Sequence, residues 1–230
     1  MKTRVTVFVL LLLWGAAASA FHPQDTPWEA LNKKVMTLYR KGEYDRAVVV
    51  AKKALEVAEN AVGPNHPDVA TSLNNLAEIY RAQAEYAQAE PLYRRALAIR
   101  EKALGPDHLA VAQSLNDLAL LYYAQGQYAP AEPLLTRALA IREKALGPDH
   151  PELGGSLNNL AGFYYTQGRY AQAEPILKRA LGIQEKALGL DHPEVARTLE
   201  NMAELYRKMD RAQEAEPLAT RAARIRAIKR

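Results

Sequence analysis

The thirteen residues Ala-Leu-Ala-Ile-Arg-Glu-Lys-Ala-Leu-Gly-Pro-Asp-His at 96–108 return unchanged at 138–150, 42 residues later. A looser copy at 180–192 keeps the same step. A second marker moves with the first: Ser72-Leu73-Asn74-Asn75-Leu76-Ala77, then Ser114-Leu115-Asn116-Asp117-Leu118-Ala119, then Ser156-Leu157-Asn158-Asn159-Leu160-Ala161. A unit repeated at 20 to 50 residues buries its apolar face against the next copy, because one copy alone has too little to bury. The period therefore restricts this chain to one stacked array rather than two compact domains.

Each unit reads as two helices. Leu73, Leu76, Ala77 and Tyr80 sit at i, i+3, i+4 and i+7, one stripe of an amphipathic helix, and Ala89, Leu92, Tyr93 and Ala96 repeat that spacing. The break between them is short, at 83–85, 125–127 and 167–169, which makes the two helices antiparallel neighbours. Gly42, Gly126 and Gly168 suit a left-handed turn there, while Ala84 and Asp210 take the same place in units two and five. The second helix is expected to stop at Gly105, Gly147 and Gly189. Asp149-His150-Pro151-Glu152 and Asp191-His192-Pro193-Glu194 then read as an Asp N-cap with Glu three residues on. Pro91, Pro133, Pro175 and Pro217 fall a few residues into each second helix. Either that helix starts beyond them or it lacks one hydrogen bond near its start. The units run at about 28–63, 66–105, 108–147, 150–189 and 192–230. The first is degenerate: Lys34 stands where Leu76, Leu118 and Leu160 stand later, as suits an end unit with one neighbour.

The first twenty residues read as a signal peptide. Lys2 and Arg4 precede an apolar run from Val5 to Trp14, and Ala18-Ser19-Ala20 offers small residues for cleavage before Phe21. The alternative is an uncleaved anchor. Residues 21–27, with Pro23 and Pro27, read as a short extended lead. The expected location is periplasmic or extracellular.

Little here carries chemistry. The chain has no cysteine, so disulfides and thiolate metal sites are excluded. The formal charge of +4 falls by two when Lys2 and Arg4 leave, too balanced for nucleic-acid binding by bulk charge. His66, His108, His150 and His192 keep the period, but positions one repeat apart are separated by roughly 10 Å. Zinc draws its ligands to about 2.3 Å or less. Ser72, Ser114 and Ser156 each follow such a histidine by six residues, which puts the two side chains on different faces of a helix. Gly154-Gly155 lies inside a helical pattern and forms no phosphate loop. The chain reads as a non-enzyme with no cofactor and no metal.

Leu73, Leu76, Ala77, Tyr80, Ala89, Tyr93 and Ala96, with their counterparts at 115–138, 157–180 and 199–222, resemble the tetratricopeptide repeat in its 42-residue, kinesin-light-chain-like form. The Ala-Glu-Pro-Leu run at 89–92 and the Leu-Gly-Pro-Asp-His run at 104–108 are typical of that form. The resemblance implies an all-α, right-handed superhelical solenoid of antiparallel helix pairs. It implies first helices lining a concave groove, binding of a protein or peptide segment, and no catalysis.

Groove positions are expected opposite the packed stripe of each first helix. They include the row Asn75, Asp117, Asn159 and Asn201, able to donate and accept along an extended backbone. The competing reading is that this row joins adjacent repeats. Arg81, Tyr123, Tyr165 and Arg207 add charge and aromatic area suited to interface anchors. Unit four is unusual in carrying Gly154, Gly155 and Gly162 in its first helix. Gly155 and Gly162, two turns apart, are expected to leave a hollow bordered by Asn159 and Tyr165. Two other functions compete with groove binding: self-assembly through the end repeats, and an accessory subunit of an envelope complex. Arg221, Arg224, Arg226, Lys229 and Arg230 read as a solvated helix end, or more weakly as a contact for an acidic partner or anionic lipid headgroups.

Overall fold

The computed structural model describes residues 26–228. The leader, its cleavage point and residues 21–25 of the lead lie outside the described residues, as do Lys229 and Arg230. The lead ends earlier than expected. Thr26 is an N-cap, closed into a box with Glu29, and Pro27 opens the first helix.

The described residues form ten helices and no strand: α1 (Pro27–Arg40), α2 (Tyr44–Val62), α3 (Pro67–Ala82), α4 (Tyr86–Leu104), α5 (Leu109–Ala124), α6 (Tyr128–Leu146), α7 (Leu153–Thr166), α8 (Tyr170–Leu188), α9 (Pro193–Lys208) and α10 (Ala212–Ile228). Each pair turns through a left-handed residue: Gly42 at φ +72°, Gly126 and Gly168 at +71°. Ala84 and Asp210 adopt the same conformation, at +59° and +58°, without glycine's freedom. The prolines lie inside the second helices, each at the sixth position, so one hydrogen bond is missing near the start of each.

The cap at the start of α9 corrects the expectation: the capping residue is His192, not Asp191, and α3 and α5 are capped the same way by His66 and His108. His66, His108 and His192 accept the N–H two residues on at their Nδ1, at 3.2, 3.1 and 3.2 Å. An imidazole nitrogen here does what a carboxylate oxygen does at an ordinary N-cap. At unit four His150 makes the same bond at 3.3 Å, yet α7 begins only at Leu153.

The core runs continuously between the layers. Leu76, Leu118, Leu160 and Met202 are buried with Tyr80, Tyr122, Tyr164 and Tyr206 beside them. First helices touch the next first helix (α1 on α3, α3 on α5, α7 on α9), which makes them the inner layer. Polar staples tie one unit to the next on the outer side. Arg95, Arg137, Arg179 and Arg221 each pair with a glutamate of the preceding second helix: Glu59, Glu101, Glu143 and Glu185. Glu132 takes Tyr164 Oη at 2.9 Å and Arg169 in a two-point pair; Glu174 takes Tyr206 Oη at 3.2 Å and Arg211 through a single Nη1 at 2.7 Å. In unit five the positions that serve a following unit are bound internally. Glu200, the counterpart of Asn158, holds Arg226; Glu216, the counterpart of Glu174, holds Arg207.

Candidate functional site

The four serine or threonine residues after the repeat histidines have structural partners. Ser114 accepts from Arg100 at 2.6 Å, Ser156 from Arg142 at 2.9 Å, and Thr198 donates to Gln184 at 2.6 Å. In unit one the corresponding second-helix residue is Ala58, too short to reach, and Trp28 Nε1 donates to Ser72 instead, at 2.8 Å. Burial pushes both Arg100 and Arg142 down from the usual arginine range. Among the described residues no group of three or more His, Cys, Asp or Glu is placed to hold a metal ion.

The inner face carries a string of hollows. One of about 350 Å³ lies between units one and three, walled by Met36, Ile79 and Leu120 with Asn74, Glu78 and Asp117 around it. A second, of about 200 Å³, is lined by Leu120, Tyr123, Leu135, Asn159, Gly162 and Phe163. A smaller one, about 90 Å³, is lined by Gly162, Tyr165, Leu177, Asn201 and Glu204. A fourth, about 350 Å³, lies between α9 and α10, the last pair, rather than between two first helices, and holds Glu204 and Arg207 against Ala219, Ala222 and Ala223. Neighbouring hollows share Leu120, then Gly162, then Glu204. With Met36 and Glu78 these residues make one row at the 42-residue step.

Nine of the ten residues assigned to the groove from the sequence line these hollows: Asn75, Arg81, Asp117, Tyr123, Asn159, Gly162, Tyr165, Asn201 and Arg207. Gly155 lines none of them. Gly154 is buried against Gln184, while a Cβ added to Gly155 or Gly162 would meet nothing within 4 Å. The hollow in unit four thus centres on Gly162 alone.

The asparagine row also joins repeats. Asn75 Nδ2 donates to Asn32 at 2.9 Å, Asn159 to Asn116 at 3.3 Å, and Asn201 to Asn158 at 2.9 Å. The row that changes from unit to unit lies one turn further on, at 36, 78, 120, 162 and 204. In the sequence Gly162 stands out as one of three glycines in its helix, not as a member of a row. The signal was available: the same 42-residue step gives Met, Glu, Leu, Gly and Glu at this one position, while the adjacent core position stays small and apolar.

Two of the charged members of this face are already held. Burial pushes the Glu78 carboxyl up, but donors from Arg81 (3.1 Å), Tyr93 (2.8 Å) and Tyr39 (2.9 Å) together keep it below the usual range. Tyr165 donates to Glu204 at 2.6 Å, and burial with that carboxylate pushes its phenol up to about 12.

Matches to the tetratricopeptide repeat extend over residues 29–102, 68–144 and 152–227, with a second model of the same repeat at 116–187. The chain belongs to the tetratricopeptide repeat family. Its fold is similar to nearly identical TPR-like repeats from a Podosopora anserina chain assigned to the kinesin light chains. That structure is 26% identical with a TM-score of 0.76, over 90% of this chain and 99% of that one. It is also similar in fold to BtubC from P. vanneervenii (24% identity, TM-score 0.78, 87% and 80% covered). Pseudomonas aeruginosa pilF is a further fold relative (23% identity, TM-score 0.63, 86% and 75% covered). No curated protein matches. Tetratricopeptide repeats support a protein–protein interaction scaffold, and proteins built from them are generally not enzymes. In this tetratricopeptide array the inner face, with its linked hollows, is the candidate interaction surface.

Proposed function

We propose that the chain is an exported scaffold that holds an extended segment of a partner protein along the inner face of its first helices. One observation carries the reading. In units two to five the positions that pack stay apolar, as at Leu76, Leu118, Leu160 and Met202, whereas the row Met36, Glu78, Leu120, Gly162 and Glu204, which opens into the hollows, differs in size and charge at almost every step. A surface needed only for stacking has no reason to vary in that pattern. A surface that reads successive side chains of one partner does. The leader composition at 1–20 supports export.

Gly162→Leu tests the groove. The added side chain projects into the hollows on both sides of Gly162 and should weaken binding of the partner captured from the native envelope by tenfold or more. The melting temperature should rise. Binding unchanged by a filled hollow would overturn the groove reading. Intact mass of the protein from its native host tests export: a chain retaining Met1 to Ala20 would end that part of the proposal. Self-assembly is the second reading. It requires the end units to stack, and the internal engagement of Glu200 and Glu216 weighs against it. A molar mass by light scattering that rises with concentration would revive it.

A further inference from the structure

One rung of the asparagine row runs backwards. At three rungs the later residue donates to the earlier: Asn75 to Asn32, Asn159 to Asn116, Asn201 to Asn158. At the remaining rung the later residue is Asp117, and an ionised carboxylate has no proton to donate. Asn74 is turned the other way and gives its Nδ2 to Asp117 Oδ2 at 2.8 Å. That reversal leaves Asn74 Oδ1 buried with no donor from the protein. Gln113 Nε2 supplies the other carboxylate oxygen, at 2.8 Å. The Asn116 amide adds to these, all of the donors are neutral, and no ion pair joins Asp117 to a cationic side chain among the described residues.

The charged groups around this rung leave it short of positive charge at its open side. Arg100 and Arg142 act on Asp117 through the interior. Their guanidinium groups are directed elsewhere, Arg100 to Ser114 and the Ala110 carbonyl, Arg142 to Ser156 and Gln113 Oε1. Glu78 lies on the same wall and already holds Arg81. Burial pushes the Asp117 carboxyl above the ordinary range, the mark of a charge poorly solvated where it stands. The hollow beside the rung, about 350 Å³, has Met36, Ile79 and Leu120 for apolar walls.

A long cationic side chain matches this arrangement: its alkyl stem lies along apolar surface while its head carries several N–H donors and a charge. We propose that the Asp117 rung is a subsite for a lysine or arginine side chain of the bound segment. The head meets the Asp117 carboxylate and, after a small rotation of the amide, supplies the donor Asn74 Oδ1 lacks. The proposal rests on the groove reading above and adds the chemistry of one position of the partner. Leu120, shared with the next hollow, places an apolar side chain of the segment beside the basic one.

Random dodecapeptides displayed on phage and selected on the whole exported chain supply the probe. Peptides from the wild type should be enriched in Lys or Arg next to an apolar residue. Their affinity should fall at least tenfold for Asp117→Asn, which is isosteric and lets position 117 donate to Asn74 as the other rungs do. Replacing the basic residue of a selected peptide by norleucine or citrulline keeps the test independent of how the variant folds. That change should weaken binding to the wild type as much as Asp117→Asn does, and should cost nothing further on Asp117→Asn. Selected peptides without basic enrichment, or equal binding of the norleucine and citrulline peptides to the wild type, would overturn the subsite. If Gly162→Leu still weakens those peptides, the groove reading stands while the subsite falls. If neither variant affects them, both readings fall together.

Discussion

The three glycines of α7 look alike in the sequence and should behave differently. Gly162 lies in the middle of the helix, and a Cβ there meets nothing within 4 Å. Gly162→Ala should therefore recover most of glycine's helix penalty, about 1 kcal/mol. In an array of this size that corresponds to a rise of roughly 2–4 °C in melting temperature. Gly155 is equally open but lies in the first turn, so the gain from Gly155→Ala should be smaller, about half as large. Gly154 is the opposite case. A Cβ there would stand 2.7 Å from Gln184 Cγ and Nε2 and 2.9 Å from Cδ. Gln184 is 1% exposed and its Oε1 accepts from Thr198 at 2.6 Å, so it cannot swing away without leaving a buried group unpaired. Overpacking of this kind costs about 1–3 kcal/mol, more than the propensity returns. Gly154→Ala should lower stability, and Gly154→Ala with Gln184→Ala should recover part of the loss. Urea denaturation of the four variants checks this. A Gly154→Ala protein as stable as Gly162→Ala would refute the packing argument for that site.

Other perturbations separate features of the same array. Leu118 is 2% exposed at the centre of unit three, and Leu118→Ala should cost about 2–5 kcal/mol in denaturant unfolding. Ala84 holds a left-handed turn without glycine's freedom, so Ala84→Gly should stabilise by up to about 1 kcal/mol, read as a higher urea midpoint. Arg211, with Lys178 and Tyr206, holds the Glu174 carboxyl down at about 2 against an ordinary 4.5. A depressed carboxyl contributes stability that is complete above its unfolded value and is lost as pH falls towards its folded one. Melting temperatures of the wild type should thus decline between about pH 4.5 and 2, and more steeply than those of Glu174→Gln; parallel curves would show that the staple does not couple to folding.

The repeat, the helix pairs and the turns were legible because they rest on local chemistry. A glycine at 42, 126 or 168 meets the left-handed requirement by itself, and the stripe from Leu73 to Tyr80 shows in its own spacing. What was not legible depends on a neighbour in another unit. The Asp-Glu box at 191–194 reads as a cap in the sequence, but the folded loop brings imidazole Nδ1 of His192 to the start of α9 instead. Gly154 resembled Gly155 until Gln184, thirty residues on, proved to lie against it. The groove was half legible. Its asparagine row was found, but its partners lie 43 residues away, and the reversal at Asp117 appears only when both sides of each rung are seen together. The row through Met36, Glu78, Leu120, Gly162 and Glu204 is hidden in the sequence because it varies, whereas a repeat shows itself through the positions that stay the same.

The internal pairing in unit five bears on how such an array changes its length. Each of units two to four turns a Glu oxygen to the tyrosine of the unit that follows, and an Asn side chain meets that unit too, by its Oδ1 in units three and four and by its Nδ2 in unit two. Unit five keeps the corresponding Glu200 and Glu216 for its own Arg226 and Arg207. A copy of unit five inserted in the middle would bring those pairs into competition with the joint behind it. A copy of unit three would bring none. Growth by duplication is thereby directed to the interior of the array, where the identity of 96–108 and 138–150 is found, and each inserted copy lengthens the inner face by one more variable position.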